Sequence, residues 1–423
     1  MHRKIVIRSI HPTRPFGLSP FAIVFALAVL SAPAQPPAPS PEDAQYIKKF
    51  REHYPKVEPA PTLAEYATAA RFDDRFLGAK LDESIEIIKS KGNNQGNLAW
   101  GIAYWMIGYN QMYRNTHDPK YLDANLRCAE TVLSVRDDKQ NVQLFTGEIA
   151  TAWSSDKYAK RGRAVFGVHT GMLVYPMLDF LVLVKERPEV LASDSDRYAT
   201  IKKEALEALA WHDRQWRNGP ADDEGHYIMM NQEDNLDGKV KPGNRLSALG
   251  RAIWTAWKLT GDEQYKDRAL RMGRYIKRRL AIGPDGAYYW PYWLPEGLPE
   301  NPVDPKEIKG EDSSHAQLTI SFPLMLAQDN EVFTQDDVKM LGVTVRNGIA
   351  RLSATPETMG VLLGSVTGDT NFAPSYVSSP DGWIIPALTN PEAKESLLAF
   401  YLDYQPNPAA LDLAALIGLT ATK

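Results

Sequence analysis

The chain has 423 residues, of which 44% are hydrophobic and 10% aromatic, and its formal charge at pH 7 is −4. Its length and apolar content allow a large core, and its mildly acidic balance argues against binding to nucleic acids or anionic membranes. The one cysteine, Cys128, excludes a disulfide framework and a cysteine-based zinc site within one chain.

The first 34 residues have the pattern of a secretory signal peptide. A basic segment precedes the apolar run FAIVFALAVL and the small-residue site SAPAQ, with cleavage predicted after Ala34. The apolar run is short for a membrane span, although an uncleaved anchor is the alternative. Removal of the leader's four basic residues changes the formal charge from −4 to −8. We therefore expect a secreted or periplasmic protein that does not bind membranes after cleavage.

Residues 35–60 are predicted to form a proline-rich linker and an N-terminal lead-in, because PPAPSPED occupies 36–43. Residues 61–423 are predicted to form one domain.

Helical periodicity dominates this domain, and its helix starts recur. Five nearly uncharged apolar helices each begin at a glycine and a possible capping residue. These residues are Asn97, Thr170, Asn244, Ser314 and Asp381, separated by 73, 74, 70 and 67 residues. Such regular spacing indicates a repeated structural unit.

Amphipathic helices such as DEQYKDRALRMGRYIKRRL lie between the apolar ones. An apolar helix buried on most sides and an amphipathic one covering it predict an all-α fold, an α/α toroid of about five to six hairpins. NPAALDLAALIGLT, near the C-terminus, is a candidate for a last short helix. The four links from outer to inner helices are long, at roughly 139–169, 218–243, 281–313 and 352–380. Loops of that length usually carry function. We expect them to gather over one mouth of the ring.

The predicted mouth is rich in aromatic, amide and basic side chains. Sugar rings stack their C–H faces on aromatic rings, while their hydroxyls need donors and acceptors. An oligo- or polysaccharide is therefore the expected partner. The predicted substrate contacts are Trp100, Tyr104, Trp153, Arg163, Tyr227, Asn231, Asn244, Arg245, Tyr288, Tyr289, Trp290, Tyr292 and Trp383.

The phrases YNQMYRNTHDPKYLDANL and TAWKLTGDEQYKDRALRM, with glycine-capped inner helices, resemble the six-hairpin glycosidase-like α/α-toroid superfamily over about residues 60–405. The resemblance implies a toroid whose cleft lies where the inner helices begin. It also implies an activity among glycoside hydrolases, polysaccharide lyases and uronate epimerases. No motif is specific to one enzyme family.

Two chemistries are compatible with the polar residues of the mouth. Glycoside hydrolysis needs two carboxyl groups, and Glu311, Asp312 and Glu233 are the candidates. Elimination or epimerisation of a uronate needs a base, for which His169 and His315 are placed at inner-helix starts. Against a lyase, GNNQGNLAW has Gln95 where toroid lyases often carry histidine.

Neither a metal nor a cofactor is predicted, because the histidines show no HxH or HExxH spacing. Hydrolysis is slightly favoured over elimination or epimerisation because carboxylates outnumber clear histidine, tyrosine and arginine sets. The alternative is a non-catalytic glycan-binding protein with the same cleft. Within KGEDSSHAQ, Ser314 and Gln317 are expected to form a capping box.

Overall fold

The computed structural model describes residues 39–187, 194–230, 237–378 and 380–421. The predicted signal peptide lies outside these residues, as do Asn231 and Glu233.

The described α-helices are numbered here in chain order. They are α1 (Pro41–His53), α2 (Leu63–Tyr66), α3 (Ala69–Phe76), α4 (Ala79–Lys91), α5 (Ala103–Thr116), α6 (Lys120–Ser134), α7 (Asp137–Gln140), α8 (Gly167–Lys185), α9 (Ser195–Ala210), α10 (Gly243–Thr260), α11 (Glu263–Lys277), α12 (Ser313–Gln328), α13 (Gln335–Thr344), α14 (Ile384–Ala387), α15 (Pro391–Tyr404) and α16 (Ala410–Ala421). A π-helical turn at Leu98–Ile102 leads into α5, and a 3-10 turn at Pro380–Trp383 leads into α14.

These helices form six hairpins, each with an outer helix followed by an inner one. The outer helices α4, α6, α9, α11, α13 and α15 precede the inner helices α5, α8, α10, α12, α14 and α16 in turn. The sixth inner helix is the segment NPAALDLAALIGLT, which the sequence offered as a candidate.

The inner helices close into a ring. α5 packs on α8, α8 on α10, α10 on α12, and α12 on the 3-10 turn before α14. α16 contacts both that turn and α5, so the last inner helix returns to the first. The all-α toroid predicted from the sequence is confirmed.

Close helix contacts hold the ring together at glycines. A Cβ at Gly171 would lie 2.5 Å from the carbonyl carbon of Ala248, and one at Gly250 would lie 2.5 Å from the Phe322 ring. The backbones of α8 and α10 therefore touch at Gly171, and the Phe322 ring of α12 packs directly on the backbone of α10 at Gly250. α8 is long and apolar enough to cross a membrane, but 89% of its most apolar window is buried in the domain. It is a core helix of the ring.

The long connections carry small antiparallel hairpins. β1 (Ser154–Ser155) pairs with β2 (Ala164–Val165), β3 (Trp216–Asn218) with β4 (Gly225–Tyr227), and β5 (Ala281–Ile282) with β6 (Tyr288–Tyr289). Each hairpin lies between an outer helix and the inner helix after it.

Within the predicted lead-in, α1 packs onto the toroid. Tyr46 and Phe50 are buried, and the Tyr46 hydroxyl donates to the carbonyl oxygen of Leu362 at 2.9 Å. This helix adds apolar contacts beside the fourth long loop.

The capping predictions were wrong in detail. α12 is capped by Asp312, whose carboxylate accepts from the His315 amide, and Ser314 lies inside the helix. Asp312 has the extended backbone of a cap (φ −68, ψ 149), and its carboxylate is a strong acceptor for a helix amide.

The other expected caps also lie inside helical turns. α8 begins at Gly167, three residues before Thr170, and the Thr170 hydroxyl is paired with His212 at 2.9 Å. Asn244 is the second residue of α10, Asn97 has helical dihedrals, and Asp381 is within the 3-10 turn. The backbone is already helical at these four positions, so their side chains do not cap the helices and are available for tertiary contacts.

Candidate active site

A cavity of about 190 Å³ opens at the end of the ring where the inner helices begin. Its lining is Trp100, Tyr104, Lys157, Tyr158, Asn244, Ser314, His315, Gln317, Leu318 and Ser378. These residues come from the first turns of three inner helices and from two of the long loops. The expected gathering of loops and helix starts is therefore present.

His315 and Asp312 form a hydrogen-bonded pair at the edge of this cavity. His315 Nδ1 lies 2.7 Å from Asp312 Oδ2, while Oδ1 accepts from the His315 amide and the Ser314 hydroxyl at 3.1 and 2.5 Å. Burial opposes ionisation of Asp312, but its bond to His315 outweighs this and holds its pKa below the usual value. The carboxylate is thus kept charged and fixes the imidazole ring.

The pair leaves one ring nitrogen of His315 free for chemistry. With Nδ1–H donating to Asp312, the lone pair is on Nε2. The side chain is 45% exposed, and the ring of Tyr292 packs edge-on against it at 5.3 Å. His315 is therefore accessible, oriented and able to accept a proton.

Glu311 is adjacent in sequence but has a different environment. It is fully buried, and its Oε2 accepts from Trp290 Nε1 and the Thr319 hydroxyl at 2.6 and 2.7 Å. Burial raises the pKa of its carboxyl well above the usual value, which favours the neutral acid. Glu311 anchors the third long loop to α12 and does not line the cavity.

His169 lies behind the cavity wall. It is fully buried, its ring contacts Trp100 edge-on at 5.5 Å, and its Nδ1 lies 3.2 Å from the Asn93 amide nitrogen. Because that nitrogen donates, the proton of His169 is on Nε2, which has no partner among the described residues. Burial and the nearby charges of Arg245 and Lys157 lower its pKa to about 3, so the ring is neutral.

Two further polar atoms of the cavity region are buried without a partner in the described part of the chain. They are Trp100 Nε1, a donor, and Asn244 Oδ1, an acceptor. Buried polar groups are normally paired, and at a cavity such atoms are available to bind water or a ligand.

Several predicted substrate contacts lie in the core. Trp153 donates to the carbonyl oxygen of Val132 at 2.7 Å, and Trp383 donates to that of Ser313 at 3.1 Å. Trp290 bonds to Glu311, and its ring stacks on Trp383 at 6.2 Å. These indoles have their N–H groups satisfied inside the protein, and none of them is part of the cavity lining.

The remaining predicted contacts have structural partners too. Tyr288 bonds to Asp337 at 2.6 Å and Tyr289 to Asp285 at 2.7 Å. Three others also lie outside the cavity lining. Tyr227 packs on Trp216 at 5.1 Å, Arg163 bonds to Ser154 and Asn94, and Arg245 lies over the Tyr158 ring at 5.7 Å.

Six residues that line the cavity were not predicted from the sequence. They are Lys157, Tyr158, Ser314, Gln317, Leu318 and Ser378. Tyr158 has a left-handed backbone (φ 68), which turns the loop tip over the mouth. The sequence offered one signal for such residues: a polar side chain one turn into an apolar inner helix, as at Gln317, indicates a position that faces the cavity.

Larger depressions elsewhere are lined by charged groups that already pair with one another. One of about 800 Å³ contains Arg351 paired with Asp43, and Asn347 bonded to Asp285. Another of about 550 Å³ lies between α6 and α9, where Arg197 pairs with Glu130. The mouth cavity differs from both in its unpaired buried atoms.

No protein-family model matches the chain, and no curated protein matches it. Among solved structures, it is similar to the GH76A alpha-1,6-mannanase from Salegentibacter sp. HEL1_6, with 14% identity, a TM-score of 0.45, and coverage of 81% of this chain and 96% of that one. It is also similar to a D-mannose isomerase, with 14% identity, a TM-score of 0.44, and coverage of 92% and 100%. An inactive variant of the mannanase, solved with alpha-1,6-mannotriose, gives a TM-score of 0.44.

The fold is an α/α toroid. The six outer-to-inner hairpins and the closed inner ring establish this fold from the chain's own helices. A fold does not by itself specify a chemistry, which depends on the residues of the mouth.

Proposed function

We propose that this chain is a carbohydrate-active enzyme in which His315 transfers a proton to and from a sugar. The observation that carries the proposal is the Asp312–His315 pair, joined at 2.7 Å, at a cavity lined by aromatic and amide side chains. A histidine oriented by a buried carboxylate is a suitable general base near neutral pH.

The cavity suits a sugar in shape and in polarity. Trp100, Tyr104 and Tyr158 provide aromatic surface, and Trp100 Nε1 and Asn244 Oδ1 provide one unpaired donor and one unpaired acceptor. A sugar hydroxyl both donates and accepts, so it can satisfy both. The volume of about 190 Å³ corresponds to about six water molecules, a space for one sugar unit.

Proton transfer at carbon is better supported than hydrolysis by two carboxylates. None of the described residues lining the cavity is Asp or Glu. Glu311 is occupied by Trp290 and Thr319, and Glu233 lies outside the described residues. The sequence favoured hydrolysis because of the number of carboxylates. We propose isomerisation, epimerisation or elimination in its place.

In the proposed step, His315 Nε2 takes the proton from a sugar carbon next to a carbonyl or carboxyl group. The electrons of the broken C–H bond move toward that group and form an enolate. The imidazolium, stabilised by Asp312, can return the proton to the neighbouring carbon while a hydroxyl proton moves to the former carbonyl oxygen. It can instead keep the proton while water protonates the opposite face of the enolate. In the third case the enolate electrons form a C=C bond and break the C–O bond to the leaving group, whose oxygen takes the proton. These three outcomes are isomerisation, epimerisation and elimination.

The test is to incubate the protein in D₂O with aldoses, ketoses, uronates and acidic and neutral oligosaccharides. Proton transfer predicts deuterium at a sugar carbon by NMR, or an ultraviolet-absorbing unsaturated end after elimination. His315→Gln should abolish the signal, and His53→Gln, at an exposed position in α1, is the matched control. New reducing ends without exchange or unsaturation would contradict the proposal, and binding without any turnover would indicate a non-catalytic glycan-binding protein.

We also propose that the protein is exported and that its leader is removed after Ala34. The basic segment, apolar run and small-residue site support this. N-terminal sequencing of the mature protein should begin at Gln35, and a cytoplasmic chain that retains Met1 would contradict it.

A further inference from the structure

One arginine lies in the centre of the ring, beneath the cavity. Arg251 is seven residues after Asn244 on α10, so the two residues share one face of the helix. Helical side chains point toward the N-terminus, which here is the mouth. The guanidinium accordingly reaches up to Met172, one turn below His169 on α8, with Nη2 3.0 Å from the Met172 sulfur.

The guanidinium of Arg251 lacks a counter-ion at bonding distance. The residue is 7% exposed, its Nε has no hydrogen-bond partner, and no carboxylate in the described part of the chain pairs with it. Its contacts are the Met172 sulfur and the ring of Tyr175, whose centre is 4.6 Å from Cζ. A buried charge without a bonded partner is costly, so this arrangement favours a ligand that supplies the opposite charge.

The nearest acidic residues do not fill that role. Asp179 is held by Arg114 through two bonds of 3.0 and 2.5 Å. Asp412 accepts from the Tyr401 hydroxyl at 2.8 Å and from the Ala409 amide at 3.1 Å.

Asp381 is the remaining acidic neighbour, and its Oδ1 is buried without a partner among the described residues. Burial, together with the charge of Asp412, raises its pKa well above the usual value. Asp381 therefore favours the neutral acid, which donates a proton to a ligand and leaves the charge of Arg251 uncompensated.

Tyr104 connects this region to the cavity. It lines the cavity, and its hydroxyl lies within the electrostatic influence of the Arg251 guanidinium.

We propose that Arg251 binds the carboxylate of an acidic sugar and that the substrate of this site is a uronate. The inference rests on the proposed function, and it specifies the class of sugar. A uronate carboxylate held by Arg251, and accepting from Asp381, offers the pairing that the site lacks. The same carboxylate acidifies the adjacent C–H bond, which is the bond that His315 would break.

The experiment measures binding of matched sugars that differ only in the carboxylate. D-glucuronate and D-galacturonate are compared with D-glucose and D-galactose by calorimetry, using wild-type protein, Arg251→Met, Asp381→Asn and His315→Gln. Arg197→Met, on the outer helix α9, is the control for loss of a surface arginine. We expect each uronate to bind wild type at least ~10-fold more tightly than its neutral partner, as for a charge-assisted hydrogen bond.

Arg251→Met should remove that preference and leave the affinity for neutral sugars within about threefold. Asp381→Asn should keep most of the preference for uronates, and His315→Gln should keep all of that preference, because neither change removes the charge of Arg251. Equal affinity of wild type for uronates and neutral sugars would overturn the proposal, even if Arg251→Met fails to fold. A uronate preference without proton exchange would uphold it while refuting the proposed chemistry.

Discussion

The first turns of α8 and α12 occupy corresponding positions in the repeat, and each carries a histidine near the mouth. His315 on α12 bonds to Asp312 and packs against the Tyr292 ring, and 45% of its side chain is exposed. His169 on α8 accepts from the Asn93 amide and packs against Trp100, and it is fully buried.

The difference shows how environment assigns roles to identical side chains. A carboxylate partner and solvent access suit His315 to the proposed role of base. Burial and two neighbouring positive charges keep His169 neutral. Its Nδ1 accepts from Asn93, so its Nε2–H is left as a fixed donor.

Removal of His315 should cause the largest effect. His315→Gln keeps a polar side chain of similar length but cannot act as a base, so kcat should fall ~10²- to 10⁴-fold. Steady-state kinetics and ligand titration check this, with binding expected within a few-fold of wild type. An equally large loss in His169→Gln, with unchanged folding, would break the distinction between the two turns.

Asp312→Asn should show that the carboxylate orients the base. Asparagine caps helices about as well as aspartate, so stability should change by less than about 0.5 kcal/mol. Turnover should still fall by about 10²-fold because the imidazolium loses its stabilising charge. Glu311→Gln is the matched control: it replaces a neutral buried acid, and turnover should stay within about threefold.

His169 should make stability depend on acidity. Its folded pKa of about 3 is below that of an unfolded histidine. The unfolded state therefore binds the proton first, and stability is lost as pH falls below the unfolded value of about 6.5. His169→Gln should flatten the plot of unfolding free energy against pH by about 1.4 kcal/mol per unit between about pH 6 and 4. Urea unfolding at several pH values measures it, and an unchanged slope would show that His169 is protonated in the folded protein.

Trp100→Phe should have the smallest effect. It keeps the aromatic wall in front of His169 but removes the unpaired N–H donor, at a cost of about 1 kcal/mol or five- to tenfold in ligand affinity. Calorimetry with the best ligand checks this, with Trp257→Phe, at the opposite end of α10, as the control. An unchanged affinity would mean that this donor does not contact the ligand.

Local patterns predicted the architecture well. The alternation of apolar and amphipathic helices, and loops that are long on one side only, depend on periodicity and chain length. Even the last inner helix, Ala410–Ala421, is visible as a short apolar segment. The sequence placed Trp100, Tyr104, Asn244 and His315 near the mouth because they follow inner-helix starts.

The sequence could not show which aromatic residues of the third long loop are buried in the core and which one contacts His315. In the run from Tyr288 to Trp293, contacts with other segments determine the position of each ring. Tyr288, Tyr289 and Trp290 are all buried, with Tyr288 bonded to Asp337 on α13 and Trp290 to Glu311. Tyr292 alone contacts His315 in the described structure.

The sequence by itself determined the toroid, the position of its mouth and the polar start of α12, because each depends on short-range periodicity and capping chemistry. Only the tertiary structure decided that Asp312 orients His315, that Glu311 is turned into the core, and that the buried Arg251 has no carboxylate partner among the described residues. These outcomes depend on burial by segments distant in sequence, and burial is what sets the charge and the accessibility of a polar side chain.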